Sequence, residues 1–126
     1  MKKIKIKINH QDRRGVIIDL LEKKKINAIT LITQKKGKVR GNHFHKKTIQ
    51  WNYVLDGKVI YYSQKPGKKL IKTIISAGDL TVSYPLQRHA FKALEESRVL
   101  VLTKGPRAGK DYEIDTFRLT GKPLIK

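Results

Sequence analysis

Histidine is scarce in this chain, with four in 126 residues. Two of them, His43 and His45, stand one residue apart in the stretch RGNHFHKKTIQ, and a third, His89, lies far downstream in GDLTVSYPLQRHAF. On a β-strand the side-chain period is two, so His43 and His45 would project from one face. Two imidazoles on one face can hold a metal, or act on a bound substrate as acid, base or hydrogen-bond donor. Read alone, an H-x-H pair is also compatible with the exposed polar face of an ordinary strand. His89 changes the balance, because a distant third imidazole can converge with the pair inside the mouth of a β scaffold, where open metal or catalytic sites are built. Arg40, just before the pair, can meet an anionic group or stay at the surface. Phe91 shares the face of His89 and can line a pocket or simply pack. Lys46 and Lys47 can meet a substrate or stay solvated. His10 lies outside this group and is expected to be exposed.

The elements that must position these residues read as strands nearly throughout. Residues 3–8 (KIKIKI) alternate strictly, with Ile4, Ile6 and Ile8 expected inward. Further strands are expected over 15–21, 26–33, 48–55, 70–76, 80–84 and 98–103, although 17–25 is also compatible with a helix. Asp56-Gly57, flanked by WNYVL and KVIYY, is a strong hairpin signal, and Pro66-Gly67 marks another turn. Trp51 and Tyr53 alternate with Gln50 and Asn52, so one pair is expected to face the core. Many short strands with turns at ~8–12-residue intervals predict an all-β sandwich or barrel. Residues 105–111 (GPRAGKD) look faintly like a phosphate loop, but Asp111 stands where a magnesium-holding Ser or Thr is needed, so a surface loop is expected.

Size and composition bound the rest. The chain suits one compact domain over residues 1–126, and 39% hydrophobic residues suffice for a core. There is no cysteine, hence no disulfide and no thiolate metal site. No apolar run approaches the ~20 residues of a membrane span, and the alternating N-terminus does not read as a signal peptide, so a cytoplasmic protein without membrane partners is expected. The net charge of +19 favours acidic partners. The lysines are spread along the chain without a basic arm or aromatic interleaving, so they are read mostly as solvated faces, and nucleic acid is the weakest partner reading.

The spacing of the site residues resembles the cupin superfamily, of the RmlC-like jelly-roll type. Gly37, His43, His45, Gln50 and Gly57 are separated by five, one, four and six residues, as in the first cupin motif, with Gln50 where metal-binding cupins carry Glu. Gly78, Pro85 and His89 resemble the second motif, with Gln87 in place of Gly. The motif regions are 37–57 and 78–93. Within the cupins, Arg13-Arg14-Gly15, Arg40-Gly41, HFHKKTIQ, VLVLTKG and Lys110-Asp111-Tyr112 are similar to the dTDP-4-keto-6-deoxyhexose 3,4-ketoisomerases and sugar-nucleotide epimerases, over most of residues 12–118. The Tyr expected shortly upstream of Arg-Gly in the ketoisomerases is missing here.

That resemblance implies a single-domain cupin, a double-stranded β-helix barrel, acting on a nucleotide sugar by histidine-mediated proton transfer. Its implied catalytic residues are His43, His45 and Arg40. Arg40, Gln50, Lys47, His89 and Phe91 would bind substrate, and no cofactor is required. A second reading is a small metal-binding cupin of dioxygenase-like or sensor type, with Zn, Fe, Ni or Mn held by His43, His45, Gln50 and His89. A non-catalytic sugar-binding cupin is a third. A homodimer is expected, with the N-terminal strand as exchange element.

Overall fold

The computed structural model describes residues 2–126, and strands dominate it. In chain order they are β1 (Lys2–Ile4), β2 (His10–Asp12), β3 (Gly15–Ile17), β4 (Ala28–Gln34), β5 (Val39–Phe44), β6 (Ile49–Asp56), β7 (Lys58–Gln64), β8 (Ile71–Ser76), β9 (Leu80–Ser83), β10 (Arg88–Ala93), β11 (Ser97–Lys104) and β12 (Phe117–Arg118). One helical turn, α1 (Asp111–Ile114), precedes β12. Two five-stranded antiparallel sheets run β1-β9-β6-β11-β4 and β12-β5-β10-β7-β8, and β2-β3 form a separate ribbon.

The core lies between the two large sheets. Val54, Val99 and Val101 from one sheet meet Val59, Tyr61 and Ile75 from the other. These are the inward positions of strands whose remaining side chains point away, the period-two pattern that a half-buried sheet requires.

Asp56-Gly57 does not close a hairpin, contrary to the expectation from its turn chemistry. The flanking strands are as expected, but β6 pairs with β9 and β11, while β7 pairs with β8 and β10. The two residues carry the chain from one sheet to the other. Val54 and Val59, fully buried on either side of the turn, join the same core from opposite layers. Gly57 has φ +90°, and a Cβ there would meet Ser97 Oγ and lie 2.5 Å from Glu96 O and 2.7 Å from Ser97 Cα. The crossing is fastened by Lys58 N–H donating to Ser97 Oγ at 3.0 Å and by the Arg98–Asp56 ion pair at 2.7 Å. Pro66-Gly67 does close a hairpin, between β7 and β8.

The N-terminal third also departs from the pattern reading. Only Lys2–Ile4 joins a sheet; Ile4 and Ile6 pack inward and Ile8 is 55% exposed. Gly15–Ile17 pairs with β2 alone, and all six residues of that ribbon are exposed. Residues 18–27 form no helix. Instead Leu21 and Ile26, with Ile4 and Ile6, cover the outer side of the first sheet against Trp51, Leu80 and Val82. Consequently both alternating sets on β6 are buried. Gln50 and Asn52 face the space between the sheets, and Trp51 faces the N-terminal cover.

Candidate functional site

The site begins with the pairing of β5 and β10. His43 and His89 are cross-strand partners, and the register shifts between His89 and Ala90. Gly41, with φ +90°, permits that shift, because a Cβ there would lie 3.0 Å from His89 O and 3.1 Å from Ala90 Cα. His45 stands just past the end of β5. Its main chain is held by Leu86 N–H donating to its carbonyl at 2.6 Å. The three rings converge, with centroids 4.9 Å apart for His43–His45, 4.6 Å for His43–His89 and 5.3 Å for His45–His89. All three side chains are buried.

Hydrogen bonds orient two of the rings. His45 Nδ1 lies 2.7 Å from the backbone carbonyl of Asp115, and His89 Nδ1 lies 3.2 Å from the carbonyl of Gln87. A carbonyl only accepts, so each Nδ1 carries the proton and each Nε2 keeps its lone pair. His45 Nε2 is buried without a hydrogen-bond partner among the described residues. The rings are held neutral. Burial, reinforced by His45, Arg118 and Arg107, pulls His43 down to about 3. Burial also lowers His45, against the opposing pull of Asp115. His89 lies well below its ordinary value through burial and its two histidine neighbours.

One nitrogen from each of the three rings falls within a set whose members lie within 4.8 Å of one another. Three imidazole nitrogens with open lone pairs are a donor set suited to a divalent transition metal. Gln50, buried on the same strand face of the cavity, offers only a neutral fourth group.

A cavity of about 560 Å³ opens between the sheets onto this cluster. His43, His89, Gln50, Asn52, Tyr61 and Phe91 line it, and Phe91 stacks on Tyr61 at 5.5 Å. Its more exposed lining is cationic: Arg40, Arg107 and Arg118, with Tyr112. Arg40 donates to Thr33 O at 3.2 Å. Lys47 does not line the cavity. Its side chain is exposed, and its backbone N–H donates to Asp115 at 2.9 Å. Lys46 sits over the Phe117 ring at 4.3 Å. His10 pairs with Asp12 at the surface.

Pattern reading did not find the C-terminal contribution. Asp115 accepts from the backbone of Lys46 and Lys47 at 2.9 Å each and from Thr48 Oγ1 at 2.7 Å. Burial pushes this carboxyl up, and those hydrogen bonds more than offset it, leaving it below its ordinary value. Asp115 therefore clips the segment bearing Arg107, Tyr112 and Arg118 onto the loop that carries His45. The one available signal was Lys110-Asp111-Tyr112, which does not reveal that the segment folds back over the histidines.

Residues 10–103 match the polysaccharide biosynthesis C-terminal domain. The chain belongs to that family. Its fold is that of the RmlC-like cupins, as solved structures bear out. A sugar 3,4-ketoisomerase from Thermoanaerobacterium thermosaccharolyticum, QdtA, solved with TDP, is 25% identical, with TM-score 0.73 over 94% of this chain and 88% of that one. The rmlC epimerase of Mycobacterium tuberculosis superposes with TM-score 0.77 at 16% identity, over 94% and 68% of the two chains. The dTDP-4-dehydrorhamnose 3,5-epimerase of Sulfolobus tokodaii gives 0.71 at 18%, over 90% and 72%. No curated protein matches this family member in sequence.

Proposed function

We propose that the chain is a sugar-nucleotide epimerase or ketoisomerase acting on a nucleoside-diphosphate 4-keto-6-deoxyhexose. One observation carries the reading: three neutral imidazoles gather at a cavity of about 560 Å³ whose exposed lining holds Arg40, Arg107 and Arg118. Neutral histidine can take a proton, and three guanidinium groups suit a diphosphate. The likeness to a ketoisomerase solved with TDP supports the same substrate class.

In this reading the ketone acidifies the neighbouring C–H, and His43, in the cavity wall, removes that proton. The electron pair moves onto the ketone oxygen, and the proton returns to a ring carbon. A base held near 3 is weak by itself. A bound diphosphate brings negative charge close by, which raises the imidazole and strengthens the base. His45 and His89, their Nδ1–H groups tied to carbonyls, fix the ring cluster.

The test is direct. Thermal shifts with dTDP, UDP and GDP identify the carrier, and turnover is then assayed with the matching 4-keto sugar. His43→Asn and His45→Asn are expected to lower turnover by at least about 100-fold while leaving the fold intact. Undiminished turnover in both variants would sink the reading.

A second reading is favoured by one specific feature, the unpartnered Nε2 of buried His45 beside two further imidazoles. Here His43, His45 and His89 would hold a zinc, iron, nickel or manganese ion, with Gln50 as a weak fourth ligand. The ion would supply a Lewis acid to polarise a substrate oxygen. Protein purified without chelator is then expected to carry about one metal per chain by elemental analysis. Metal-free protein that cannot be reloaded excludes this reading.

A further inference from the structure

His45 and His89 are each turned by a hydrogen bond to a backbone carbonyl, whereas His43 has no such bond among the described residues. The direction of the His43 ring is therefore set by its own main chain. That main chain is irregular. On β10, His89 faces His43 and Ala90 faces Gly41, which leaves Asn42 as the extra residue of a bulge. Gly41 has φ +90° and Asn42 φ +55°, so two consecutive residues lie in the left-handed region. Glycine adopts it freely; asparagine is tolerated there because its short polar side chain can hydrogen-bond. A bulge of this kind re-aims the neighbouring side chain, here the ring of His43.

The Asn42 side chain finds its partners far along the chain. Its Oδ1 accepts from Leu124 N–H at 2.8 Å and from Ile125 N–H at 3.1 Å. Its Nδ2 donates to the Ile125 carbonyl at 2.9 Å. One amide thus meets both polar groups of the Ile125 main chain, standing in for the strand neighbour that the bulge denies. The Asn42 main chain is held as well. Its carbonyl accepts from Leu119 N–H at 2.8 Å, directly after Phe117 and Arg118 pair with Phe44 and His43. Residues 117–125 therefore fasten to β5 twice, through the β12 ladder and again through the Asn42 side chain. Leu124 and Ile125 are half-buried, as docked residues are.

We propose that Asn42 is a positioning residue for His43, and that residues 119–125 are the strap that locks its bulge. The reaction it serves rests on the sugar-nucleotide reading. Neither Asn42 nor Leu124 lines the cavity, so their effect reaches a substrate there only through the direction of the His43 ring. Proton abstraction needs the ring nitrogen within reach of the C–H, and a misplacement of about 1 Å costs on the order of 100-fold.

The experiment compares wild type, Asn42→Gly, Leu124→Pro and the double variant, each in the 126-residue chain. Asn42→Gly keeps the left-handed backbone and removes the whole side-chain clasp. Leu124→Pro leaves Asn42 in place and removes the N–H that makes the shorter bond to Oδ1. Two readouts are taken. One is kcat and KM with a dTDP-linked 4-keto-6-deoxyhexose; the other is the proton–carbon NMR signals of the histidine rings in the protein alone. Each single variant is expected to lower kcat by at least about tenfold, with KM held within about threefold. The His43 ring signal should shift or broaden while those of His45 and His89 stay near their wild-type positions. Both changes open one clasp, so the double variant should lose little more than the worse single. A smaller fall in kcat in both single variants, additive losses, or an unmoved His43 signal overturns the proposal. So does movement of all three ring signals together, which would make Asn42 a merely structural residue. If wild type turns over no such sugar, the sugar-nucleotide reading falls, and the ring signals alone decide the role of Asn42.

Discussion

At the scale of single residues, His43, His45 and His89 are held in the neutral form by burial, and this has a direct consequence for stability. Their folded values lie below the unfolded value of ~6.5, with His43 near 3. Between those values the unfolded chain binds protons that the folded chain refuses. Stability therefore rises with pH across that window and is lost as pH falls from about 7 towards 3, by at most ~1.4 kcal/mol per pH unit for each histidine. The melting temperature is expected to drop steadily between pH 7 and pH 4, and His89→Gln should flatten the slope. A melting temperature indifferent to pH would contradict the buried neutral cluster. Gln50 makes a second prediction at this scale. Replacing its amide by a carboxylate beside His45 favours imidazolium and improves the metal donor set. Gln50→Glu should bind zinc at least about tenfold more tightly than wild type by calorimetry.

Elements connect these residues in ways that local patterning does not reveal. The segment after β11 is held against the site by β12 pairing with β5 and by one carboxylate, Asp115, which satisfies two backbone amides and a hydroxyl on the β5–β6 connection. Asp115→Ala leaves the buried Thr48 hydroxyl and two part-buried amides without their acceptor and loosens the turn bearing Tyr112. Hydrogen bonds to a charged group make this a loss of roughly 2–4 kcal/mol, measurable by denaturant unfolding, and turnover should fall although no lining residue is changed. Gly57 governs the other crossing. Alanine there adds a left-handed backbone strain to a Cβ that collides with Ser97 and Glu96, where main-chain atoms leave little to yield. Gly57→Ala should cost about 1–3 kcal/mol or more, whereas Gly67→Ala, with open space around it, should cost less.

At the scale of the whole molecule, a net charge of +19 surrounds a cavity with a cationic lining. Affinity for a nucleoside diphosphate should weaken as salt rises, since the Debye length shrinks from ~10 Å at 0.1 M to ~3 Å at 1 M. Dimerisation is proposed on different grounds. The β2–β3 ribbon is solvent-exposed, with Val16 and Ile17 uncovered, and an isolated two-stranded ribbon is marginal by itself. β1 takes the edge of its sheet beside β9 within the same chain. Exchange would substitute the partner's identical strand at that edge. Light scattering is expected to return twice the 14.5 kDa chain mass; a single-chain mass excludes the dimer. No helix among the described residues is long and apolar enough to cross a membrane.

Much of this protein is legible in the sequence because strand periodicity and turn chemistry are local. Alternation and glycine-marked turns are enough to expect β6, β7, β8, β9 and β11 within a residue or two. The H-x-H pair, with the resemblance of its surroundings and of the His89 segment to the cupin motifs, leads to the expectation of one cluster, and the rings do meet. Strand partnership is a different matter, because it depends on contacts between distant residues. Asp56-Gly57 has the composition of a hairpin and acts as a sheet crossing because Val54 and Val59 belong to opposite layers of one core. Trp51 and Gln50 both end up buried because the N-terminal segment covers a face that an isolated sheet would expose. The cationic phenol-bearing wall of the site is likewise tertiary. Arg107, Tyr112 and Arg118 come from a stretch with no strand pattern, and the Asp115 clip, together with the pairing of β12 on β5, brings them over the histidines.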